Sequence, residues 1–194
     1  MSLPTAPPPA PGDGAPPRRP VSADVARVLD LARLEAAVRG HRRIGTAHLL
    51  RALVRADGPE AGLLAAAGVT DRGSDTALTL AVWSTAGEHD PSGPPGPPVA
   101  NTATHEVLDA AHARADDLAH DAVTVSDLMT ALLRHGGDQA ADMLATLGAA
   151  PGQLLDALEG LDALTAPAVP ARRLVPRDPG GLLSSAWHEG ARSA

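Results

Sequence analysis

A short series of histidine and acidic residues is the first place in this sequence where chemistry could occur. His105-Glu106 is followed by Asp109 and His112, which is close to the His-Glu-x-x-His spacing of helical zinc sites, with aspartate in place of the second histidine. On a helix, His105, Asp109 and His112 share roughly one face, so a weak metal-dependent hydrolase is one hypothesis. The two histidines would, however, lie roughly 10 Å apart along the axis, which is far for ligands of one ion. We predict no metal site here and a structural or solvated role for these side chains.

The remaining histidines and the nucleophile motifs give no indication of catalysis. His41 and His120 each come shortly after a predicted helix, where packing or capping is the expected role. The Gly-x-Ser-x-Gly turn that presents a nucleophilic serine does not occur in the sequence. We therefore predict that the protein is not an enzyme and has no catalytic residue and no cofactor.

Arginine side chains near position 40 are candidates for binding an anion. Arg39, Arg42 and Arg43 form the densest basic cluster of the part expected to fold. They lie beside Thr46, the predicted N-cap of a helix. Arg42 and Arg43 are therefore candidate contacts for an acidic peptide or a phosphate, and an exposed, solvated loop is the alternative.

The composition limits the compartment and the partners. The chain has no cysteine, and its 16 basic residues, all arginine, face 23 acidic ones, for a net charge of −7. An acidic chain is not expected to bind nucleic acid, which requires a basic patch. The absence of cysteine fits a reducing compartment, and no apolar run is long enough for a signal peptide or a membrane-spanning helix. We expect a cytoplasmic protein that binds neither nucleic acid nor membrane.

Apolar residues at helical spacing predict an all-α fold, with a core of Leu, Val and Ala because aromatic residues make up only 1%. In the first half, Ser22 is the expected N-cap of a helix that stops at Gly40. Thr46 is the expected N-cap of the most apolar helix. A short helix that ends at Gly68 and a fourth helix at roughly 74–83 complete this half.

The same order of helices returns in the second half. Asn101 or Thr102 is the expected cap of its first helix. Thr124 and Asp127 have the spacing of a capping box before the apolar helix. Pro151 suits the first position of the last helix.

The two halves are an internal repeat. Val28, Leu29, His41 and Ile44 return 79 residues later as Val107, Leu108, His120 and Val123. A four-helix unit of this kind cannot bury its apolar face alone. We expect the two copies to pack into one pseudo-twofold bundle.

Stretches rich in proline and glycine set the boundaries. We predict a disordered tail over 1–20, a first repeat over 21–83, a linker over 84–100, a second repeat over 101–164 and a mostly disordered tail over 165–194. Within the last tail, Leu182 to Glu189 is an apolar island. It is either a short docking helix or a fraying turn.

One motif gives the chain a family resemblance. It reads Gly40-His41-Arg42-Arg43-Ile44-Gly45-Thr46-Ala47-His48-Leu49-Leu50, and Asp57-Gly58 and Leu63-Leu64-x-x-x-Gly68-Val69 follow it. This pattern resembles the amino-terminal domain of Clp ATPases, especially of the ClpC type, over roughly Val21 to Leu161. The resemblance implies a compact, all-helical double Clp repeat. The phosphate-binding motif of an ATPase needs a lysine, which this sequence lacks, so the resemblance is to a stand-alone domain.

The ClpC type also implies candidate ligand positions. In that type, each repeat holds phosphoarginine through a Thr at the start of its first helix and the Glu of Gly-Thr-Glu-His. The Thr positions fall on Ser22 and Asn101 of this chain, and the Glu positions fall on Ala47 and Ser126. Because loss of a charged partner typically costs about 2–5 kcal/mol, we do not expect phosphoarginine to bind in the usual mode.

These observations give one leading hypothesis for function. The protein would be a non-catalytic binding module that captures a protein, a peptide, an adaptor or a peptide-like small molecule. Its partners would include Clp protease components or substrates, and it would modulate Clp-dependent proteolysis. The alternatives are a decoy that sequesters a Clp-targeting compound, and the weak metal-dependent hydrolase described above.

Overall fold

The computed structural model describes residues 18–84 and 96–165, which are mostly helical. The helices are α1 (Ala23–Val38), α2 (Thr46–Arg55), α3 (Pro59–Ala66), α4 (Asp71–Ser84), α5 (Thr102–Asp117), α6 (Val125–His135), α7 (Gly137–Thr146) and α8 (Pro151–Thr165), and two short strands are β1 (Arg43–Ile44) and β2 (Val99–Ala100). The predicted all-α class is confirmed. Within these residues, no helix has the length and apolar character needed to cross a membrane.

Several predictions fall wholly or mainly outside the described residues. These are the tail over 1–20 apart from its last three residues, most of the linker over 84–100, and the tail beyond 165 with its apolar island at 182–189. Residues 18–20 of the predicted tail contact α5 and the loop after it. Arg18 forms an ion pair with Asp109 at 2.7 Å and Arg19 forms one with Asp116 at 2.5 Å.

Most helix ends follow from local sequence. Ser22 Oγ accepts the N–H of Val25 at 3.2 Å, as expected of an N-cap. Thr124 and Asp127 form the predicted capping box, in which each side chain accepts the backbone N–H of the other residue. Gly40 ends α1 with a φ of 70°, a left-handed conformation that glycine adopts without strain.

The corresponding position in the second half is not glycine. Ala119 lies 79 residues after Gly40 and has a φ of 56°. The hydrogen bonds at the two helix ends are alike: the next residue, His41 or His120, donates its backbone N–H back to Ala36 or Ala115 at 2.8 Å. The second half therefore keeps the turn at the cost of a strained alanine.

Two predicted helix starts were wrong. Helix α2 begins with Thr46 as its first helical residue, and Gly45 is its N-cap. The buried His48 side chain accepts the N–H of Gly45 at 3.0 Å, which is the bond that the third helical residue makes in a capping box. Helix α4 begins at Asp71 and not near 74, because Thr70 Oγ1 accepts the N–H of Gly73 at 3.1 Å.

Both halves contribute to one aliphatic core. α2 packs against α6 and α7 as well as against its own neighbours α1 and α4, and α4 packs against α7. The largest fully buried side chains are Leu49, Leu50, Leu53, Leu64, Leu78, Leu128, Met129, Leu132, Met143, Leu144, Leu154 and Leu158. They belong to a single buried cluster. The expected pseudo-twofold packing of two four-helix units is confirmed.

Two short parallel pairings join the halves. β1 pairs with β2, and a single bridge joins Val21 to Val123. In both cases, the residues just before the first helix of one half meet the loop between the first two helices of the other half. The structure thus contains strand pairing that the periodicity did not predict, including at Val99–Ala100 in the predicted linker.

The hydrogen bonds of these pairings are symmetric. The N–H of Ser22 donates to Val123 O and the N–H of Asn101 donates to Ile44 O, each at 3.0 Å. Ser22 and Asn101 are 79 residues apart, and so are Ile44 and Val123. The two halves therefore exchange equivalent contacts.

Candidate functional site

A concave surface with apolar and cationic side chains runs beside α1. We call it the α1 groove. It holds about 590 Å³ and is lined by Asp30, Arg33, Leu34, Ala37, Gly40, His41, Arg42 and residues 96–98. Leu34 remains 52% exposed there. A shallower depression continues along α1 toward Ala23 and shares Asp30 and Leu34 with the groove.

The basic cluster predicted from the sequence is divided in the structure. Arg42 lines the α1 groove and is half-buried. Arg43 lies in β1 and is exposed. Arg39 instead contacts the carboxylates of Glu35 and Asp75. Arg39 is therefore paired within the first half, whereas Arg42 and Arg43 as contacts for an anion stay a prediction.

The two N-cap positions implied by the resemblance have equivalent environments. Ser22 caps α1, and Asn101 Oδ1 accepts the N–H of Thr104 at 2.9 Å at the start of α5. Their backbone N–H groups are also used in the exchanged pairings. Both side chains are half-buried, and each already accepts a backbone N–H.

The two Glu-equivalent positions are buried. Ala47 has no exposed surface and Ser126 is 6% exposed. Ser126 Oγ donates to Asp162 Oδ1 at 2.5 Å, and Asp162 Oδ2 accepts from Arg114 Nη2 at 2.7 Å. A carboxylate from α8 therefore lies beside position 126, but an arginine of the same chain is bound to it. Sequence reasoning missed this arrangement, because no local pattern relates Asp162 to Ser126.

A buried ion cluster joins α1, α2 and α4. Glu35 is 3% exposed and contacts the guanidinium groups of Arg39 and Arg55. Arg51 is 5% exposed and donates to Asp71 Oδ1 at 2.5 Å. Burial acts to raise the pKa of Glu35, but the hydrogen bond from Arg55 and the positive charges of Arg39 and Arg51 outweigh it, so the pKa is lowered. The hydrogen bond to Glu35 and the negative charge of its carboxylate raise the pKa of Arg55 in turn.

This cluster was not predicted from the sequence. Asp71 and Asp75 complete it from α4, and together with Glu35 they balance the three arginines in charge. Two spacings of four residues were available as signals: Glu35 with Arg39, and Arg51 with Arg55. A charge-balanced cluster of this kind holds helices together and does not by itself indicate a ligand.

The histidines of the two repeats are equivalent in position but differ in partner. His41 Nδ1 and His48 Nε2 are 2.8 Å apart. In the second half, His120 Nδ1 is 2.9 Å from Asp127 Oδ2. Each pair fixes the loop between the first two helices of its half, which agrees with the predicted packing or capping role.

The residues of the hydrolase hypothesis are not arranged as a metal site. Asp109 Oδ1 accepts from Arg18, and His112 Nδ1 is a buried atom without a hydrogen-bond partner. Among residues 18–84 and 96–165, no three His, Cys, Asp or Glu side chains are grouped so as to hold a metal ion. The described residues give the hydrolase hypothesis no support.

Sequence comparison identifies the fold that carries these features. A family model described as "Clp repeat (R) N-terminal domain" matches residues 20–147. The chain belongs to this family. No curated protein sequence matches it.

Solved structures of Clp-type N-terminal domains share the fold. The N-terminal domain of the chaperone ClpD from Arabidopsis thaliana aligns with a TM-score of 0.60 and 20% identity, over 76% of this chain and 97% of that domain. The Hsp104 N-terminal domain from Candida albicans aligns with a TM-score of 0.57 and 15% identity, over 73% and 91%. At these identities the likeness establishes the fold alone. As a Clp repeat domain, the chain is a Clp-related binding module.

Proposed function

We propose that this Clp repeat domain captures an extended peptide segment of a substrate or adaptor in the α1 groove and thereby modulates Clp-dependent proteolysis. The observation that carries the proposal is the groove itself. It places the half-exposed side chain of Leu34 beside Pro97 and Pro98, and its lining has two arginines, Arg33 and Arg42, against one carboxylate, Asp30. Exposed apolar surface bordered by charge is typical of a protein-binding site.

The ligand positions implied by the ClpC resemblance remain a prediction. Two observations favour a site elsewhere on this chain. Ala47 is fully buried, and Ser126 is hydrogen-bonded to a carboxylate that Arg114 already neutralises. We therefore place the preferred ligand in the α1 groove, and we expect it to combine aliphatic side chains with carboxylates.

The test uses short fluorescein-labelled peptides that alternate leucine with aspartate, and matched peptides that alternate leucine with arginine. We expect the leucine–aspartate peptide to bind more tightly by fluorescence anisotropy. A peptide can cover only the exposed half of Leu34, which is worth about half of the roughly 1.5–3 kcal/mol of a fully buried leucine. Leu34→Asp removes this contact and adds a charge that repels the aspartates of the peptide, so the dissociation constant should rise about fivefold or more.

A matched control separates the groove from general surface effects. Leu80 on α4 is 56% exposed, close to the 52% of Leu34, and does not line the groove. Leu80→Asp should leave the affinity unchanged. Equal weakening by both substitutions, or equal binding of the two peptides, would contradict the proposal.

A further inference from the structure

The loop between α1 and α2 is fastened by a hydrogen-bonded chain of two histidines. Gly45 donates its N–H to His48 Nδ1 at 3.0 Å, and His48 Nε2 lies 2.8 Å from His41 Nδ1. The rings meet edge to face, with centroids 5.1 Å apart. His48 is only 1% exposed. This chain connects the N-cap of α2 to the residue that follows the end of α1.

These contacts fix where the protons are. A backbone N–H can only donate, so His48 Nδ1 must be the acceptor and carries no proton. Neutral His48 then carries its proton on Nε2 and donates it to His41 Nδ1, which must also be unprotonated. Both histidines are therefore neutral when the chain of hydrogen bonds is complete.

Neither histidine can take up a further proton without loss of a hydrogen bond. Protonation of His41 at Nδ1 would put two donors face to face, and protonation of His48 at Nδ1 would displace the N–H of Gly45. Either event breaks one of the two hydrogen bonds. The opened loop, by contrast, allows both imidazoles to take up a proton in water near pH 6.5.

The second half has a carboxylate, that of Asp127, at the position equivalent to His48. His120 lies 79 residues after His41, and Asp127 lies 79 residues after His48. Asp127 is fully buried and accepts from Thr124 N at 3.0 Å as well as contacting His120 at 2.9 Å. The acceptor for the N–H of Thr124 is a carboxylate oxygen and not a ring nitrogen, so this hydrogen bond does not require an unprotonated imidazole.

We propose that His41 and His48 form an acid-sensitive latch that holds the first loop closed when both are neutral and releases it when either is protonated. The loop includes β1, which pairs with β2, and it contributes Arg42 and His41 to the α1 groove. Release loosens the attachment of the second half's entry strand and one wall of the groove. The latch does not depend on whether the groove binds a peptide.

Charged groups of α1 and of the loop lie beside the pair. Asp30 and Arg33 of α1 and Arg42 of the loop line the groove together with His41. Arg33 is paired with Asp30 at 2.7 Å, and Arg42 follows His41 in sequence. The side chains that face Gly45 are the neutral amides of Asn101, which caps α5, and of Gln139 in α7. The direction of the switch follows from the donors and acceptors of the two hydrogen bonds, because an added proton breaks one of them.

Amide hydrogen exchange of the full chain measures the latch directly. A histidine that is neutral in the closed loop and titrates in the open loop makes opening more favourable in acid. Between about pH 7.5 and pH 5.5, each such histidine should raise the equilibrium constant for loop opening about tenfold. After correction for the exchange rate of an unstructured peptide at each pH, the protection of the Gly45 N–H should fall about tenfold to a hundredfold. The N–H of Asn101, bonded to Ile44 O, should follow it. The N–H of Thr124 in the second half is the internal control and should keep its protection.

Two variants make the test specific. His48→Asp copies the second half and should abolish the loss of protection at Gly45. His41→Asn keeps an acceptor for His48 but removes one titrating ring. If both histidines contribute in the parent chain, the acid-induced loss of protection at Gly45 should be about tenfold smaller in this variant. If only His41 contributes, the loss should be absent. His41→Asn is a conservative change in a half-buried loop and carries the test if His48→Asp does not fold.

Three results would overturn the latch. One is unchanged Gly45 protection between the two pH values in the parent chain. Another is an equal loss at Gly45 and Thr124, which would indicate general acid destabilisation. The last is an undiminished loss in His41→Asn, which would show that His41 takes no part.

Discussion

The ion cluster around Glu35 gives the most direct test of what holds the first half together. Replacing Glu35 by glutamine keeps the shape of the side chain but removes its charge. Three arginines then lose a carboxylate: Arg39 and Arg55, which contact it directly, and Arg51, whose Nε is 3.9 Å from Oε2. The Arg51 side chain is only 6% exposed, so water cannot replace the lost carboxylate there.

The cost follows from this burial. Removing one partner of a buried ion pair typically destabilises a protein by about 3–5 kcal/mol. Arg51 keeps Asp71 and Ser74 as partners and Arg55 is 42% exposed, which places Glu35→Gln at the lower end, about 3 kcal/mol. For a domain of this size, such a loss lowers the melting temperature by roughly 6–12 °C.

Thermal and urea unfolding followed by circular dichroism measure this change. Asp30→Asn on the same helix is the matched control, because Asp30 pairs with Arg33 while the two side chains are 74% and 54% exposed. An exposed pair contributes about 0–1 kcal/mol, so the control should unfold almost as the parent chain does. If Glu35→Gln costs no more than Asp30→Asn, the cluster does not stabilise the fold and the reasoning is wrong.

The same variant has a defined pH dependence. Because the pKa of Glu35 is lowered in the folded chain, its contribution is complete above the pKa of an unfolded glutamate, about 4.3, and is lost as the pH falls through the lower folded value. The difference in unfolding free energy between the parent chain and Glu35→Gln should therefore shrink only below about pH 4.5. A difference that already vanishes near neutral pH would contradict the assignment.

Three further predictions concern backbone and caps, each measured as a change in the free energy of urea unfolding. Ala119→Gly should stabilise the chain by about 0.5–1 kcal/mol, because the strain of an alanine in the left-handed conformation is larger than the entropy cost of ordering a glycine. A loss of stability would show that Ala119 is not strained. Thr124→Ala should cost about 1 kcal/mol by removing one half of the capping box, whereas Thr46→Ala should cost less if Gly45 is the cap. Gly45→Ala should cost about 1–2 kcal/mol because the new methyl group overlaps the Gln139 side chain, and Gln139→Ala in the same chain should recover part of that loss.

Local sequence was sufficient for most helix ends, and tertiary contacts explain the errors. The caps at Ser22 and Thr124 depend on neighbours within a few residues, and so a sequence pattern can identify them. The cap at Gly45 depends on a histidine side chain that is held by a second histidine in the preceding loop. No cap rule includes that arrangement, which is why Thr46 was assigned the role.

The candidate site was less predictable than the fold. The resemblance identified positions 47 and 126, but it could not show that α8 brings Asp162 to Ser126 from 36 residues away in sequence. Nor could it show that Arg114 of α5 binds the same carboxylate. The groove beside α1 likewise depends on residues 96–98, which lie in a segment that the sequence marks only as rich in proline and glycine. The surroundings of Ser126 and the lining of the α1 groove both depend on contacts between residues far apart in sequence, which a local pattern does not reveal.

The exchanged pairings of the two halves also restrict how such a protein can change in evolution. In solenoid repeats, each unit stacks on the next, and copies are gained or lost at the ends. Here the entry segment of each half is bonded to the loop of the other, at Ile44 and at Val123. Deleting one copy, or adding a third, would leave backbone groups without the partners that they have in the pair. Two is therefore the number at which this architecture closes, as in a symmetric dimer whose subunits have been fused into one chain.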